Sequence, residues 1–358
     1  MALAIGSAAC GAGGGTETAL EPGPQTGAPP GDQVIYASLS QDDRVLAYRL
    51  GTDGFLPGEP FDEMIIEEPR QVLVVGDVLY IAVEEGVASV QLNADGSMPA
   101  QPTATSIPVK DGDASQMIVD GDMLYVSMEG IDSIRAYPLT GGQIAANPLT
   151  RSGESGTNYI PIELVNGVLY AGTRDQARID AFFVRPDGSL TEDPEVQDPE
   201  ARIFDVKDLL HNNGILYAIE QDDRRLVTFT ILESGLLPYD FDSKTAQQQA
   251  YAYLALDGDN RLYASAFNAG RIDLYLLEPD GLFTRKQKQY ATTHGDTASF
   301  PTQILIDGGI LYVSQMGIGR VDAYVLGSDG APPDFPSSST FAIPDSYLNS
   351  ITMGSFPP

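Results

Sequence analysis

The chain has 358 residues, 42% of them hydrophobic, with 50 acidic against 20 basic side chains and a formal net charge of -30. That length and apolar content can bury a substantial core, and no stretch approaches the 18 consecutive apolar residues that a membrane-crossing helix needs. So few bases cannot form the clusters that hold phosphate, so nucleic acid and anionic lipid are repelled at long range. An acidic surface low in lysine suits either a salty medium, where hydrated carboxylates keep a protein soluble, or an ordinary acidic secreted protein.

The first element is the stretch 1–32, "MALAIGSAACGAGGGTETALEPGPQTGAPPGD", which holds the only cysteine, Cys10, and so excludes an internal disulfide. Small residues before Cys10 and a Gly, Pro and Thr-rich run after it resemble the end of a bacterial lipoprotein signal peptide, in which the cysteine is lipidated. Ser7 stands where that motif usually has leucine, and the basic start and full apolar segment are missing; an upstream start would supply both. The resemblance implies export to the bacterial cell envelope, on the periplasmic or surface side, with the membrane touched only through a lipid on Cys10. The residues after Cys10 are then a disordered tether with a reach on the order of 25 Å. The alternative reading is an unstructured tail with an incidental cysteine.

From residue 33 to residue 358 one phrase recurs. An "LY" or "IY" tyrosine stands at Tyr36, Tyr80, Tyr125, Tyr170, Tyr217, Tyr263 and Tyr312, at spacings of 44 to 49 residues, which is the pitch of propeller blades. Each tyrosine follows an apolar run and a Gly-containing turn, as in "QVLVV" (71–75), "QMIVD" (116–120) and "QILID" (303–307), which together read as a β-hairpin. An alternating third piece follows, as in "RVLAYRL", "RIDLYLL" and "RVDAYVL", then "DG" or "SG" and an outer segment. Each unit therefore predicts a four-stranded antiparallel sheet, and seven arranged radially cover one another's apolar faces. The fold class is all-β, a single seven-bladed β-propeller over 33–358. Before Tyr36 there is no innermost strand, and "SYLNSITMG" (346–354) has the form of the missing piece. The C-terminal strand is expected to pair with the N-terminal strands and close the ring, leaving no open edge.

With no tryptophan in the chain, the Trp-Asp and tryptophan-docking blade types are excluded. The phrases "LYVSM", "LYVSQ", "LYASA" and "LYAGT", with "RVDAY", "RIDLY", "DGSL" and "DGLF", resemble the lactonase-type seven-bladed propellers, the 6-phosphogluconolactonase-like group and its YVTN-repeat relatives. The resemblance covers 33 to about 354 and implies a monomer with a site where first strands begin and second strands end, near the pore. It implies a histidine, a carboxylate and arginines around an anionic lactone. Here "SFPTQIL" and "TNYIPIEL" depart from the Pro-His or His-Pro expected before the innermost strand.

The candidate pocket at that face draws on Arg70, Glu84, Gln116, Glu129 and Asn158, and further on Lys207, Asp208, Asn268, Gln303 and Gln315. A lactonase-like set would be Arg174 on the carbonyl, Glu220 or His294 activating water, and Arg70 or Lys207 on the anionic group. His211, the second of two histidines, belongs at the opposite, turn end of its strand. Runs such as "DGDAS" and "DGDNR" lack the spaced oxygens and terminal Glu of a calcium loop and read as turns, so neither metal nor cofactor is expected. Two functions follow as expectations: a binding module for a small polar ligand or a protein partner at the pore face, or a lactone hydrolase of the 6-phosphogluconolactonase type.

Overall fold

The apolar phrases form strands because each is short, bounded by glycine turns and buried on both faces. The computed structural model describes residues 32–356 except 111, 155, 196–202, 247–248, 259, 284–299 and 344–345. Cys10 and His294 lie outside the described residues.

Seven antiparallel sheets stand around one axis. Blade 2 shows the plan, with strands Val72–Val75, Val78–Val83, Gly86–Gln91 and Ala104–Thr105 running in order from axis to rim. The innermost strands of the other complete units are Asp113–Asp120, Tyr159–Val165, Val206–Asn212, Tyr251–Leu256 and Pro301–Asp307. The outermost strand is the shortest in each blade. In blade 4 it is reduced to the bridge between Ala181 and Glu195, and in blade 6 that segment runs into residues outside those described.

Ring closure follows the expected route. Leu348–Ser355 is the inner strand of blade 1 and pairs antiparallel with Gln33–Leu39, from Gln33 opposite Ser355 to Leu39 opposite Leu348. Phe356 then packs edge-on against Tyr36, ring centroids 6.3 Å apart.

Among the described residues the core is divided, not central. The buried apolar residues fall into seven clusters, one in each gap between neighbouring blades: Val45 and Met64 of blade 1 meet Val72 and Leu79 of blade 2, and Ile310 and Tyr312 of blade 7 meet Leu46 and Ile351 of blade 1. Each fully buried Leu, Ile, Val or Phe contributes about 1.5–3 kcal/mol, so every gap matters and none can be left open.

The repeated tyrosines tie these gaps together. Tyr80 Oη donates to the carbonyl of Gly142 at 2.6 Å, Tyr125 to Gly188 at 2.9 Å, Tyr170 to Gly235 at 2.6 Å, Tyr217 to Gly281 at 2.7 Å and Tyr263 to Gly330 at 2.8 Å. Tyr36 donates likewise to Gly96, and Tyr312 returns to Gly54 at 2.7 Å, closing the circuit. In every case the acceptor is the turn glycine of the next blade. Gly281 shows why it is glycine: its φ is +82°, and a Cβ there would lie 2.7 Å from Ile215 Cδ1 and 2.9 Å from the Tyr217 hydroxyl. The "LY" and the "DG" of the repeat are thus two halves of one hydrogen bond.

Removing residues 347–358 exposes the inner edge of blade 1 and the apolar faces around Val34, Ile35 and Ala37. We expect the truncated protein to aggregate or to melt well below the full chain in a thermal scan; an unchanged midpoint would contradict closure by this strand.

Candidate functional site

At the face where inner strands start and second strands end, the expected residues meet as one chain of ion pairs spanning blades 2 to 5. Arg70 lies 2.7 Å from Asp113 and 3.9 Å from Glu129; Glu129 lies 2.8 Å from Arg174; Arg174 lies 3.6 Å from Asp205. The chain ends at Lys207, whose Nζ is 3.0 Å from Asp205 Oδ1, close enough for an ion pair although the angle is too poor for a hydrogen bond. Three bases face three acids. The side chains are partly exposed, so each pair contributes at most about 1 kcal/mol, but together they cancel the positive charge of the rim. Beside them, exposed Glu84 is pushed up from its ordinary range by Glu68, by slight desolvation, and by Asp113, Glu85 and Glu67.

Glu220 faces inward. Its side chain is 0% exposed, its Oε2 pairs with Arg225 and its Oε1 accepts the Phe204 N–H at 3.3 Å. Burial raises it, and Arg225 offsets part of the rise. Comparison between blades explains the pair. In blades 4, 6 and 7 an arginine at the entry to the third strand binds a fully buried aspartate two residues on: Arg178 with Asp180, Arg271 with Asp273 and Arg320 with Asp322. Blade 5 has Val227 in that place, and Glu220 on the neighbouring strand supplies the carboxylate. Gln315 holds the corresponding position in blade 7, where its Nε2 donates to Asp322 at 3.0 Å. Asn158 gives its backbone carbonyl to the Arg174 N–H at 3.0 Å, and Asn268 is exposed in a short 3-10 turn.

Gln116, Asp208 and Gln303 lie deeper. Each stands at a bulge in its inner strand and reaches to the next blade. Gln116 Oε1 accepts the N–H of Ile162 at 2.6 Å, Asp208 Oδ2 that of Leu254 at 2.8 Å and Gln303 Oε1 that of Ile351 at 3.0 Å. Gln71 does the same for Met117 and Ser350 for Val72. A belt of polar side chains therefore staples blade to blade around the axis.

The belt has two irregular positions. Pro161 in blade 4 offers no acceptor, and Glu163, two residues later, takes the His211 N–H instead at 3.1 Å. In blade 6 the position is Tyr253. Below the belt, between the inner strands, lies a channel of about 640 Å3 that reaches the hairpin turns near Asp120, Asn212 and Gly258. Half of its lining is Leu, Ile, Val and Met, and the polar remainder includes Glu163, Asp208, His211 and Tyr253 on the inner strands of blades 4, 5 and 6.

Burial pushes Glu163 up to about 8, with Asp208 adding to the rise and the His211 N–H opposing it. Burial likewise raises Asp208 to about 7, against the hydrogen bonds from Leu254 and Gln116, and Tyr253 is raised by burial and by Asp208. His211 is lowered by burial, and its Nε2 accepts the Gly214 N–H at 3.0 Å, which leaves the proton on Nδ1. Sequence reasoning placed His211 at this end but missed Glu163 and Tyr253, because both sit in apolar runs where they read as ordinary strand residues. The available signal was the break in the Gln, Gln, Asp, Gln series that heads the inner strands. Among the described residues no group of three His, Cys, Asp or Glu is placed to hold a metal ion, and no helix is long and apolar enough to cross a membrane.

No protein-family model and no curated protein sequence matches the chain. Solved structures do match in fold. A protein assigned as a 6-phosphogluconolactonase from Bacteroides uniformis superposes with a TM-score of 0.73 over 90% of this chain and 100% of its own, at 13% identity. A Bacteroides fragilis protein with the same assignment gives 0.74 over 92% and 100%, at 14% identity. The periplasmic gluconolactonase of Pseudomonas aeruginosa gives 0.58 over 69% and 76%, at 18% identity. What the chain shares with these structures is the propeller fold.

The two buried carboxyls hold their protons more tightly in the folded chain than in the unfolded one. Their contribution to stability is complete below the ordinary carboxyl range near 4 and is lost as pH rises through 7 to 8. Glu163→Gln keeps an acceptor for His211 and removes one titration. At pH 9 the variant is expected to gain on the order of 4 kcal/mol over wild type relative to their difference at pH 5; parallel stability curves from chemical denaturation at the two pH values would refute the assignment.

Proposed function

We propose that this protein is a binding propeller displayed at the bacterial cell envelope, and that it does not hydrolyse lactones. The observation that carries this reading is the state of the rim: Arg70, Arg174 and Lys207, the bases that would clamp an anionic lactone, are each held by Asp113, Glu129 or Asp205. Glu220, the candidate base, is sealed beneath the surface by Arg225. Catalysis of lactone opening needs positive charge aimed at the developing oxyanion and a base within reach of water, and among the described candidates neither is free in this arrangement. A face with balanced ion pairs and additional carboxylates instead favours a polar, neutral or cationic small molecule, or a protein partner.

The neighbours named as lactonases support a hydrolase as the competing reading. A coupled assay with purified protein separates the two. We expect 6-phosphogluconolactone and gluconolactone to open at their spontaneous rates. Turnover at least tenfold above that background, lost in Glu220→Gln or His294→Ala, would replace the binding reading with the enzymatic one.

Envelope display rests on the lipoprotein-like setting of Cys10, and the periplasmic location named for the Pseudomonas neighbour accords with it. With a complete leader supplied, wild type should partition into the detergent phase of a bacterial extract and Cys10→Ala into the aqueous phase. The same partition for both would remove the anchor.

A further inference from the structure

The central channel carries ionisable groups that its role as a seam between blades does not require. Elsewhere the staples are neutral or fully engaged: Thr352 Oγ1 accepts the Val74 N–H at 3.2 Å, in the same position relative to blade 2 that Glu163 holds relative to blade 5. A threonine or glutamine at 163 would close that seam without burying an acid. Glu163 is only 4% exposed, and its Oε1 serves His211 while its Oε2 has no hydrogen-bond partner among the described residues and fronts the channel. The Tyr253 hydroxyl, two blades on, likewise has none among the described residues. Both groups therefore offer hydrogen-bonding capacity to whatever occupies the channel, beside strips of Leu, Ile and Val.

The composition of the lining says what that is. It includes five carboxylates, Asp120, Glu163, Asp208, Asp257 and Asp307, and no lysine or arginine. Asp120 and Asp307 stand at the hairpin-turn mouth and favour cations there, next to Asp257, which is paired with Arg261 at 3.3 Å. A calcium or magnesium ion needs about six oxygens around it, and among the described residues no three of His, Cys, Asp or Glu come together to hold a metal. An organic cation matches both parts, its ammonium toward Glu163 and Tyr253 and its apolar body along the strands, and a volume near 640 Å3 lies within the range for small-molecule pockets.

We propose that the channel is a binding site for a small amphiphilic organic cation, a protonated amine on an apolar body, with Glu163 as its counter-ion and Tyr253 as a hydrogen-bond partner. The site opens on the face opposite the ion-paired rim. The proposal names a ligand class within the binding-protein reading; lactone turnover would end that reading whatever the channel binds, and failure of the channel to bind amines would end only this assignment.

Because the ammonium pairs with the ionised form, binding displaces the Glu163 proton and strengthens as pH rises. The groups that face Glu163 are Asp208 and the neutral His211 on the blade 5 inner strand, Gln116 and Asp120 on that of blade 3, and Tyr170 on its own blade's second strand. None of them brings positive charge at neutral pH, so the trend follows the carboxyls.

Tryptamine is a suitable probe, since the chain has no tryptophan and indole emission reports the ligand alone. We expect saturable one-to-one binding, at least tenfold tighter than for the neutral isostere tryptophol, with no binding of the anionic indole-3-propionate. Affinity should fall on the order of tenfold or more between pH 8 and pH 6. Glu163→Gln should bring tryptamine down to the affinity of tryptophol, and Tyr253→Phe should weaken tryptamine severalfold while leaving the fold intact. Absence of saturable tryptamine binding, equal binding of the three indoles, or a Glu163→Gln variant that still discriminates between them would each overturn the proposal.

Discussion

Seven blades can form a ring only if each is fixed in tilt and register against the next, and the tyrosine-to-glycine hydrogen bond does this at every interface. The phenol comes from the second strand of one blade and the carbonyl from the outer turn of its neighbour, so the bond spans the apolar gap at its periphery. A buried neutral hydrogen bond contributes about 1 kcal/mol, and an unmade one costs about 1–3 kcal/mol. The larger consequence is geometric. The tyrosine ring fills the gap while its hydroxyl measures the distance to the next turn, and the positive φ of the glycine brings the carbonyl into range.

A second set of contacts does the same work near the axis. Inner strands diverge from one another too strongly to share a ladder, so their backbone N–H groups need acceptors from elsewhere. Bulges turn Gln116, Asp208 and Gln303 toward those N–H groups. The residues that resembled ligand contacts in the sequence are in this way engaged with the protein itself. Where the pattern fails, at Pro161 and Tyr253, the substitute Glu163 and the unpaired phenol give the channel its chemical character.

The two ends of the ring differ in electrostatics for related reasons. At one face the carboxylates lie beside Arg70, Arg174 and Lys207 and neutralise them. At the other, the channel lining has carboxylates and no base, and Arg261 pairs with Asp257 beside the mouth. A chain with net charge -30 cannot pair all its acids, and Arg70, Arg174 and Lys207 are spent on the rim and Arg178, Arg271 and Arg320 on the buried Arg–Asp pairs of the third strands. A buried pair of that kind is costly to break, because removing one partner leaves an uncompensated charge in a low-dielectric setting.

The number of blades, the strand plan and the closing strand were legible in the residues, since period, alternation and turn glycines are local properties that repeat along the chain. So was the face on which Arg70, Glu129, Arg174 and Lys207 would meet, because strand ends follow from strand order. Their mutual neutralisation was not, for a pairing such as Arg174 with Glu129 joins residues 45 positions apart through side-chain reach across a gap. Nor was the burial of Glu220, which depends on Val227 having taken the place of an aspartate one strand away. The channel depended most on tertiary structure: Glu163 and Tyr253 acquire their meaning from bulges and from the closing of seven strands around an axis, and only that closure removes water from a carboxyl and holds its proton up to about pH 8.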